Sequence, residues 1–240
     1  MERIVVLNPK GGSGKSTIAT NLAGYFAVSH RHPMLLDLDP QGSSSRWAAQ
    51  RTGDRPLVNC IAGFKQSGLV TRSWQMRPRP GCDIVIVDTP AALESRRLPE
   101  ITRGADSILV PVMPSDIDIH ASARCIADLL LIAKIHRADN RLGIIANRVR
   151  LNTVVSRSLM RFLESLEIPL VATLRDTQNY VRAYQQGMSV FEMPSWQVRQ
   201  DVDSWQSLLD WLRAKRGQAV ARENDIRAPQ SAPHPEPTLA

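Results

Sequence analysis

Long apolar runs are missing from this chain of 240 residues. The two longest candidates, at 126–135 and 108–113, are interrupted by polar residues or by proline, and neither approaches the roughly 20 residues that a membrane-crossing helix needs. The chain opens with Met-Glu-Arg and passes directly into an apolar stretch at 4–7, without the basic and long apolar regions of a secretion signal. We therefore expect a soluble, cytoplasmic protein.

Cysteine is also scarce. The three cysteines, Cys60, Cys82 and Cys125, are odd in number, lie far apart and form no C-x-x-C pair. This spacing matches neither a disulfide framework nor a zinc site. We expect the three side chains to pack as small apolar groups.

Acidic residues are too few to balance the basic ones, so the net charge is +7 and the pI is about 9.8. Residues 217–240 hold only two arginines against three acidic residues, so the positive excess belongs to residues 1–216. Nucleic acid and acidic lipid surfaces are the partners that such a charge attracts. With four prolines and little apolar periodicity, residues 217–240 are predicted to form a disordered tail after a single domain at 1–216.

Short apolar runs alternate with amphipathic stretches along the whole domain. Strands are predicted at 3–8, 34–39, 57–62, 83–88, 107–112, 142–147 and 168–173. Helices are predicted between them, most clearly at 15–28, 119–136, 154–166 and 197–215. Runs that are apolar on both faces are typical of parallel strands covered by helices on each side. The pattern predicts a doubly wound α/β fold with a mostly parallel sheet.

The segment NPKGGSGKST at 8–17 follows the first strand and opens the first helix, which is where a phosphate-binding loop lies. Glycines let successive N–H groups surround an anion, and the helix adds its positive end. Lys15 would contact the β- and γ-phosphates of a nucleotide, and the Ser16 hydroxyl is a magnesium ligand type. The expected nucleotide-binding residues are Gly11, Gly12, Ser13, Gly14, Lys15, Ser16 and Thr17.

The ordinary consensus G-x-x-x-x-G-K-[ST] fails at Pro9, which stands in place of its first glycine. The sequence KGGSGKST instead resembles the deviant Walker A loop of the ParA/MinD family of P-loop ATPases, and the resemblance covers roughly residues 3 to 190. In that family a signature lysine before the two glycines reaches the ATP of a second subunit, so that ATP holds a dimer together. Lys10 is at this position. The alternative is an ordinary solvated loop lysine.

Aspartates end two of the predicted strands. Asp88 follows DIVIV in the manner of a Walker B residue that orients Mg²⁺, although an aspartate after a strand is also a common cap. The segment DLDPQG resembles the switch I segment of the family, in which the second aspartate positions the attacking water. The resemblance assigns the water to Asp39, and Asp37 is predicted to support the metal. Both could instead cap the helix at 43–45.

Asn147 ends the sixth predicted strand, where relatives in the family place an asparagine on the adenine edge. An amide offers the base both a donor and an acceptor. We predict that Asn147 contacts the base, although asparagine at a strand end is also an ordinary turn residue.

The resemblance implies a nucleotide-timed switch: an ATP-dependent homodimer binds a large anionic surface until a partner protein triggers hydrolysis. ParA-type members coat nucleoid DNA without sequence preference, whereas MinD-type members dock on membrane through a C-terminal amphipathic helix. The Pro-rich C-terminus is not expected to form such a helix. We therefore favour DNA and a nucleoid-associated location, with the MinD-like membrane function as the alternative.

Non-specific DNA binding needs several basic residues near phosphates. The candidates lie late in the chain, where relatives carry theirs, and each alone could be a plain surface charge: Arg175, Arg182, Arg199, Arg213, Lys215 and Arg216.

No helix-turn-helix precedes the first strand, and this favours the short ParA type. Such proteins segregate plasmids or chromosomes, or space protein cargo such as carboxysomes in the McdA manner, each with a ParB-like or McdB-like adaptor. An iron-protein reductase shares the loop but needs paired cysteines at a dimer axis, an arrangement that this chain does not display. A nucleotide-binding module without hydrolysis remains a further alternative.

Overall fold

The computed structural model describes residues 1–65, 79–150 and 153–227. Their strands form one sheet and lie where the apolar runs predict them. The strands are β1 (Glu2–Val6), β2 (Pro33–Asp37), β3 (Asn59–Ala62), β4 (Ile84–Asp88), β5 (Ser107–Val112), β6 (Leu142–Val149) and β7 (Leu170–Arg175).

The described strands follow the order β3-β2-β4-β1-β5-β6-β7, and every neighbouring pair is parallel. β1 therefore lies at the centre, with β4 on one side and β5 on the other. Val6 pairs with Asp88, and Asp88 pairs with Asp37, so three strands end side by side. In open parallel sheets ligands bind beyond the carboxyl ends of the strands, near the point where strand order reverses. The predicted doubly wound fold is confirmed.

Helices cover both faces of the sheet. They are α1 (Lys15–Val28), α2 (Ser43–Ala49), α3 (Leu98–Thr102), α4 (Asp116–Leu131), α5 (Val154–Ser165), α6 (Asn179–Gln185), α7 (Ser195–Asp203) and α8 (Gln206–Arg227), with 3-10 turns at Ser95–Arg97, Arg137–Asp139 and Val190–Glu192. Strand residues alternate between two cores, so that Ile4 packs with α1 and α8 while Val5 packs with α4 and α5. α5 and α8 consequently lie on opposite faces.

The C-terminal helices differ from the sequence prediction. The single helix predicted at 197–215 is two helices, and Trp205 lies fully buried at the break, where its indole donates to the Tyr180 hydroxyl over 2.9 Å. α8 also continues to Arg227, past residue 217, where disorder was predicted to begin. Alanine, glutamine, glutamate and arginine, which favour helix, dominate that extension. Residues 228–240 of the predicted tail lie outside the described residues.

α2 is attached to the C-terminal part of the chain as well as to the sheet. The Tyr184 hydroxyl donates to the Ser43 carbonyl over 2.7 Å, and the buried indole of Trp47 donates to the Met188 carbonyl over 2.9 Å. The Arg51 guanidinium pairs with Glu192 over 2.8 Å. These contacts connect α2 and the residues just after it to α6 and to the segment before α7.

In the part of the chain that the structure describes, no helix combines the length and apolar character required to cross a bilayer.

Candidate functional site

The loop between β1 and α1 turns at two glycines. Gly12 and Gly14 have φ of 77° and 95°, a region that side chains other than glycine rarely adopt. A Cβ on Gly14 would also lie 2.1 Å from Nδ2 of Asn147. Gly14 precedes the first residue of α1, so its lack of a side chain keeps the N-terminus of the helix open to the loop. Backbone N–H groups at such a terminus attract anions.

Asn147 reaches this loop from the end of β6. Its buried amide donates to the Ser13 carbonyl over 2.8 Å, which ties β6 to the phosphate loop. The structure therefore places Asn147 beside the phosphate loop. The contact described is with the loop backbone, and the predicted contact with adenine stays a prediction.

Asn8 also belongs to the site, although the sequence did not single it out as a site residue. Its buried amide donates to the Pro111 carbonyl at 2.6 Å and to Ser122 Oγ at 3.0 Å, and its Oδ1 accepts from the Lys10 N–H at 2.8 Å. Asn8 therefore fixes the start of the loop to β5 and α4. An amide at the end of the predicted first strand, at 3–8, was the available signal.

Lys15, the first residue of α1, is almost completely buried, and its Nζ donates to the Lys10 carbonyl over 3.1 Å. Burial lowers the pKa of Lys15, and the charges of Asp88 and Asp39 partly offset that effect. The ammonium group thus lies near both predicted acidic residues. A lysine in this position meets the phosphates of a nucleotide bound on the loop.

Asp88 is fully buried at the tip of β4. Its Oδ2 accepts from Ser44 Oγ over 2.7 Å. Burial raises the pKa of Asp88 to about 7, although the Ser16 and Ser44 hydroxyl groups act in the opposite direction. Oδ1 has no hydrogen-bond partner among the described residues.

Asp37 is also buried but its carboxylate is engaged in capping. Oδ2 accepts from the backbone and hydroxyl of Ser45, both at 2.8 Å, and Oδ1 accepts from the Asp39 N–H at 3.1 Å. Burial raises the pKa of Asp37 despite these bonds. These bonds fit the capping alternative for Asp37, and its predicted supporting role towards the metal stays a prediction. Asp37 positions Asp39 and the start of α2.

Asp39 follows β2 and is 9% exposed. Its Oδ1 accepts from the Gln41 N–H at 2.9 Å, and its own N–H is held by Asp37. Asp39 is one of two carboxylates whose charges act on Lys15. The structure thus brings together Lys15, Asp39 and Asp88 at one edge of the sheet, as the sequence predicts.

The residues of this site lie within a region that matches a known protein family. The model of the CobQ/CobB/MinD/ParA nucleotide-binding domain matches residues 4–190. The chain belongs to the ParA/MinD family of ATPases. The match includes the phosphate loop, the acidic strand ends and Asn147.

Individual relatives of this ATPase include proteins named for carboxysome distribution. Maintenance of carboxysome distribution protein A from Gloeobacter kilaueensis is 35% identical over 196 residues, covering 79% of this chain and 83% of the relative. Its counterpart from Halothiobacillus neapolitanus is 27% identical over 191 residues, covering 79% and 87%. Apo McdA from Cyanothece superposes with a TM-score of 0.66 at 16% identity, covering 87% of this chain and 99% of that structure.

Two buried polar atoms in the site of this ATPase lack a hydrogen-bond partner among the described residues: Asp88 Oδ1 and Ser13 Oγ. Unpartnered buried polar atoms are costly, so these two atoms fit a site that is completed by a polar ligand. Asp88 and Ser16 offer the oxygen ligands that Mg²⁺ prefers, and these residues would hold the ion directly or through its waters. Bound Mg²⁺ would neutralise charge that develops on the phosphates.

The raised pKa of Asp88 gives a testable pH dependence of stability. The folded protein retains a proton on Asp88 between the ordinary aspartate value of 3.8 and about 7, whereas the unfolded chain has lost it. The contribution of Asp88 to stability is therefore full below the unfolded pKa and is lost as the pH rises through about 7. Asp88→Asn, which is neutral at every pH, should raise the melting temperature at about pH 8 by several degrees and raise it clearly less near pH 5, because the stability is lost progressively as the pH rises from 3.8 to about 7.

The measurement is thermal unfolding in buffer without nucleotide or Mg²⁺. Asp54→Asn, at an exposed loop position, is the matched control and should leave both melting temperatures unchanged. Equal melting temperatures of parent and Asp88→Asn at about pH 8 would contradict the burial argument.

The six predicted DNA-binding residues fall into two groups. Arg175 pairs with the buried carboxylate of Asp201 over 2.9 Å, and Arg213 donates to Asp210 at 2.6 Å and to the Tyr25 hydroxyl at 2.8 Å. Lys215 lies over the Trp211 ring. The remaining three are exposed and their side chains make no hydrogen bond or ion pair within the described ranges: Arg182, Arg199 and Arg216.

Proposed function

We propose that this ParA/MinD-family ATPase is a positioning ATPase that dimerises on ATP, binds nucleoid DNA without sequence preference and moves or segregates a cargo. The observation that carries the proposal is the placement of Lys10. The side chain of Lys10 is 34% exposed although its backbone is fixed inside the phosphate loop, whereas Lys15 is buried. In this proposal Lys15 serves the nucleotide of its own subunit, and the Lys10 side chain can extend to the nucleotide of a second subunit.

Hydrolysis in the proposed dimer depends on positioned charges. Lys15 would hold the β- and γ-phosphates, and Lys10 from the second subunit would add positive charge where the transition state gathers negative charge. Asp39 would orient the attacking water, since its carboxylate lies near Lys15 and keeps a fixed backbone position through Asp37. Asp88 and Ser16 would hold Mg²⁺.

Partner-stimulated hydrolysis completes the proposed cycle. Similarity to carboxysome distribution proteins supports cargo positioning and makes carboxysomes one candidate cargo beside plasmids and chromosomes. A ParB-like or McdB-like adaptor would accelerate hydrolysis and release the dimer from DNA. Purified adaptor from the neighbouring gene should raise phosphate release only when both ATP and DNA are present.

Arg182, Arg199 and Arg216 are the proposed DNA contacts, because their guanidinium groups are exposed and are not committed to carboxylates within the described residues. Replacing all three by alanine should weaken duplex binding at least tenfold and flatten its salt dependence, since fewer phosphate counterions are released. Fluorescence anisotropy of an arbitrary labelled duplex, with ATP and at salt between about 50 and 200 mM, provides the measurement.

The matched control removes Arg157 and Arg161, two exposed arginines of α5 on the opposite face of the sheet. This variant should bind DNA as the parent does. If affinity falls in proportion to the number of arginines removed, three in one variant and two in the other, total charge rather than a defined surface determines binding. Retention of the parent by anionic vesicles, with no binding to duplex, would instead favour the MinD-like membrane function.

A further inference from the structure

The backbone of Lys10 is held on both sides in the described subunit. Its N–H donates to Asn8 Oδ1 at 2.8 Å, and its carbonyl accepts from Lys15 Nζ at 3.1 Å. Asn8 is in turn bonded to Pro111 and to Ser122 of α4. Movement of the Lys10 amino group therefore comes from its side chain, not from the loop.

That side chain folds back onto its own subunit. Lys10 Nζ lies 4.0 Å from Oδ1 of Asp118, in the first turn of α4. The Asp118 side chain is only 7% exposed, and its Oδ1 has no hydrogen-bond partner among the described residues. Among the described residues, Lys10 is the cation that lies within ion-pair distance of this oxygen.

The other groups of Asp118 are already satisfied by the helix cap. Its N–H donates to Ser115 Oγ at 3.2 Å, and the Ser115 hydroxyl bonds with Asp118 Oδ2. The cap holds the carboxylate in one orientation and leaves Oδ1 directed to Lys10. A buried carboxylate that loses its cation is left with an uncompensated charge.

We propose that Asp118 is a positioning residue that retains Lys10 in its own subunit and so sets the ATP concentration at which a second copy of the chain binds. The inference rests on the proposed function, in which Lys10 reaches across a dimer. To do so, Lys10 leaves Asp118. In a two-fold dimer the Lys10–Asp118 ion pair breaks once in each subunit. The factor by which one ion pair lowers the dimerisation constant is therefore squared.

The charge-removing variant is Asp118→Asn, which keeps the shape of the side chain. It should raise the dimerisation constant by about tenfold, as expected when two partly exposed ion pairs no longer oppose association. Because each dimer would hold two ATP molecules, the ATP concentration for half-maximal dimerisation should fall by about threefold. Light scattering across an ATP titration measures the midpoint. Asp116→Asn, at an exposed position in the same helical turn, is the control and should keep the parent midpoint. Asp118→Glu restores the charge and should move the midpoint back towards that of the parent.

A second measurement tests the contact without any dimer. Acylation of Lys10 by an amine-reactive reagent, followed by mass spectrometry of nucleotide-free protein, should be faster in Asp118→Asn than in the parent or in Asp116→Asn. Exposed Lys134 serves as the internal reference. An unchanged Lys10 rate, or an Asp118→Asn midpoint equal to or above that of the parent, overturns the inference. Failure of the parent to dimerise overturns the proposed function. The acylation rates would still show whether Asp118 holds the Lys10 side chain.

Discussion

Asp39→Ala should bind ATP and DNA as the parent does and lose about 10²- to 10⁴-fold in hydrolysis rate, the range expected for removal of a group that positions a reacting water. Loss of Asp39 should affect hydrolysis without affecting ATP binding, because its carboxylate is not part of the loop that holds the phosphates. Its side chain bonds only to the Gln41 N–H among the described residues. The fold should therefore tolerate its loss.

Phosphate release under ATP saturation, measured beside nucleotide affinity from a fluorescent ATP analogue, tests this expectation. Asp37→Ala is an informative comparison, because it removes the acceptor of Ser45 and of the Asp39 N–H. It should lower the melting temperature as well as the rate. Phosphate release by Asp39→Ala at the parent rate would show that another group orients the water.

Lys10→Ala should abolish ATP-dependent dimerisation and, with it, ATP-dependent DNA binding. The backbone contacts of Lys10 with Asn8 and Lys15 do not depend on its side chain, so ATP should still bind to the monomer. The loss is expected to be complete because a two-fold dimer would lose both lysines that cross the interface.

Light scattering with ATP and with ADP measures the assembly, and nucleotide affinity serves as the folding control. Lys134→Ala, at an exposed position, should dimerise normally. A normal ATP dimer of Lys10→Ala would mean that Lys10 is the solvated loop lysine that the sequence also allowed.

The fold followed from the sequence because its signals are local. Runs such as IVIVD at 84–88 are apolar on both faces, and this pattern predicts a strand buried on both sides of a parallel sheet. The end of the chain was harder to predict, because Gly217 and the later prolines indicate a helix stop while the intervening residues favour helix. Tertiary packing of Trp205, which separates α7 from α8, has no signal in the local periodicity.

The site was predictable in its charged residues and less so in their partners. KGGSGKST and the acidic strand ends locate Lys15, Asp39 and Asp88, since each lies at a strand or helix terminus. Whether an aspartate binds a metal or caps a helix depends on the donors around it, and two of the three donors to Asp37 come from Ser45, eight positions away. The contact between Lys10 and Asp118 joins residues 108 positions apart, a separation that a single sequence does not reveal.

The attachment of α2 has a mechanical consequence. The start of this helix bonds to both acidic strand ends, through Ser44 to Asp88 and through Ser45 to Asp37, and it also bonds through Ser43 to Tyr184 of α6. A shift of α2 at the phosphate side must either stretch the Tyr184 bond or carry α6 with it. α6 also bears the exposed Arg182. Movement of α2 at the nucleotide edge would therefore be transmitted through α6 to a basic surface residue.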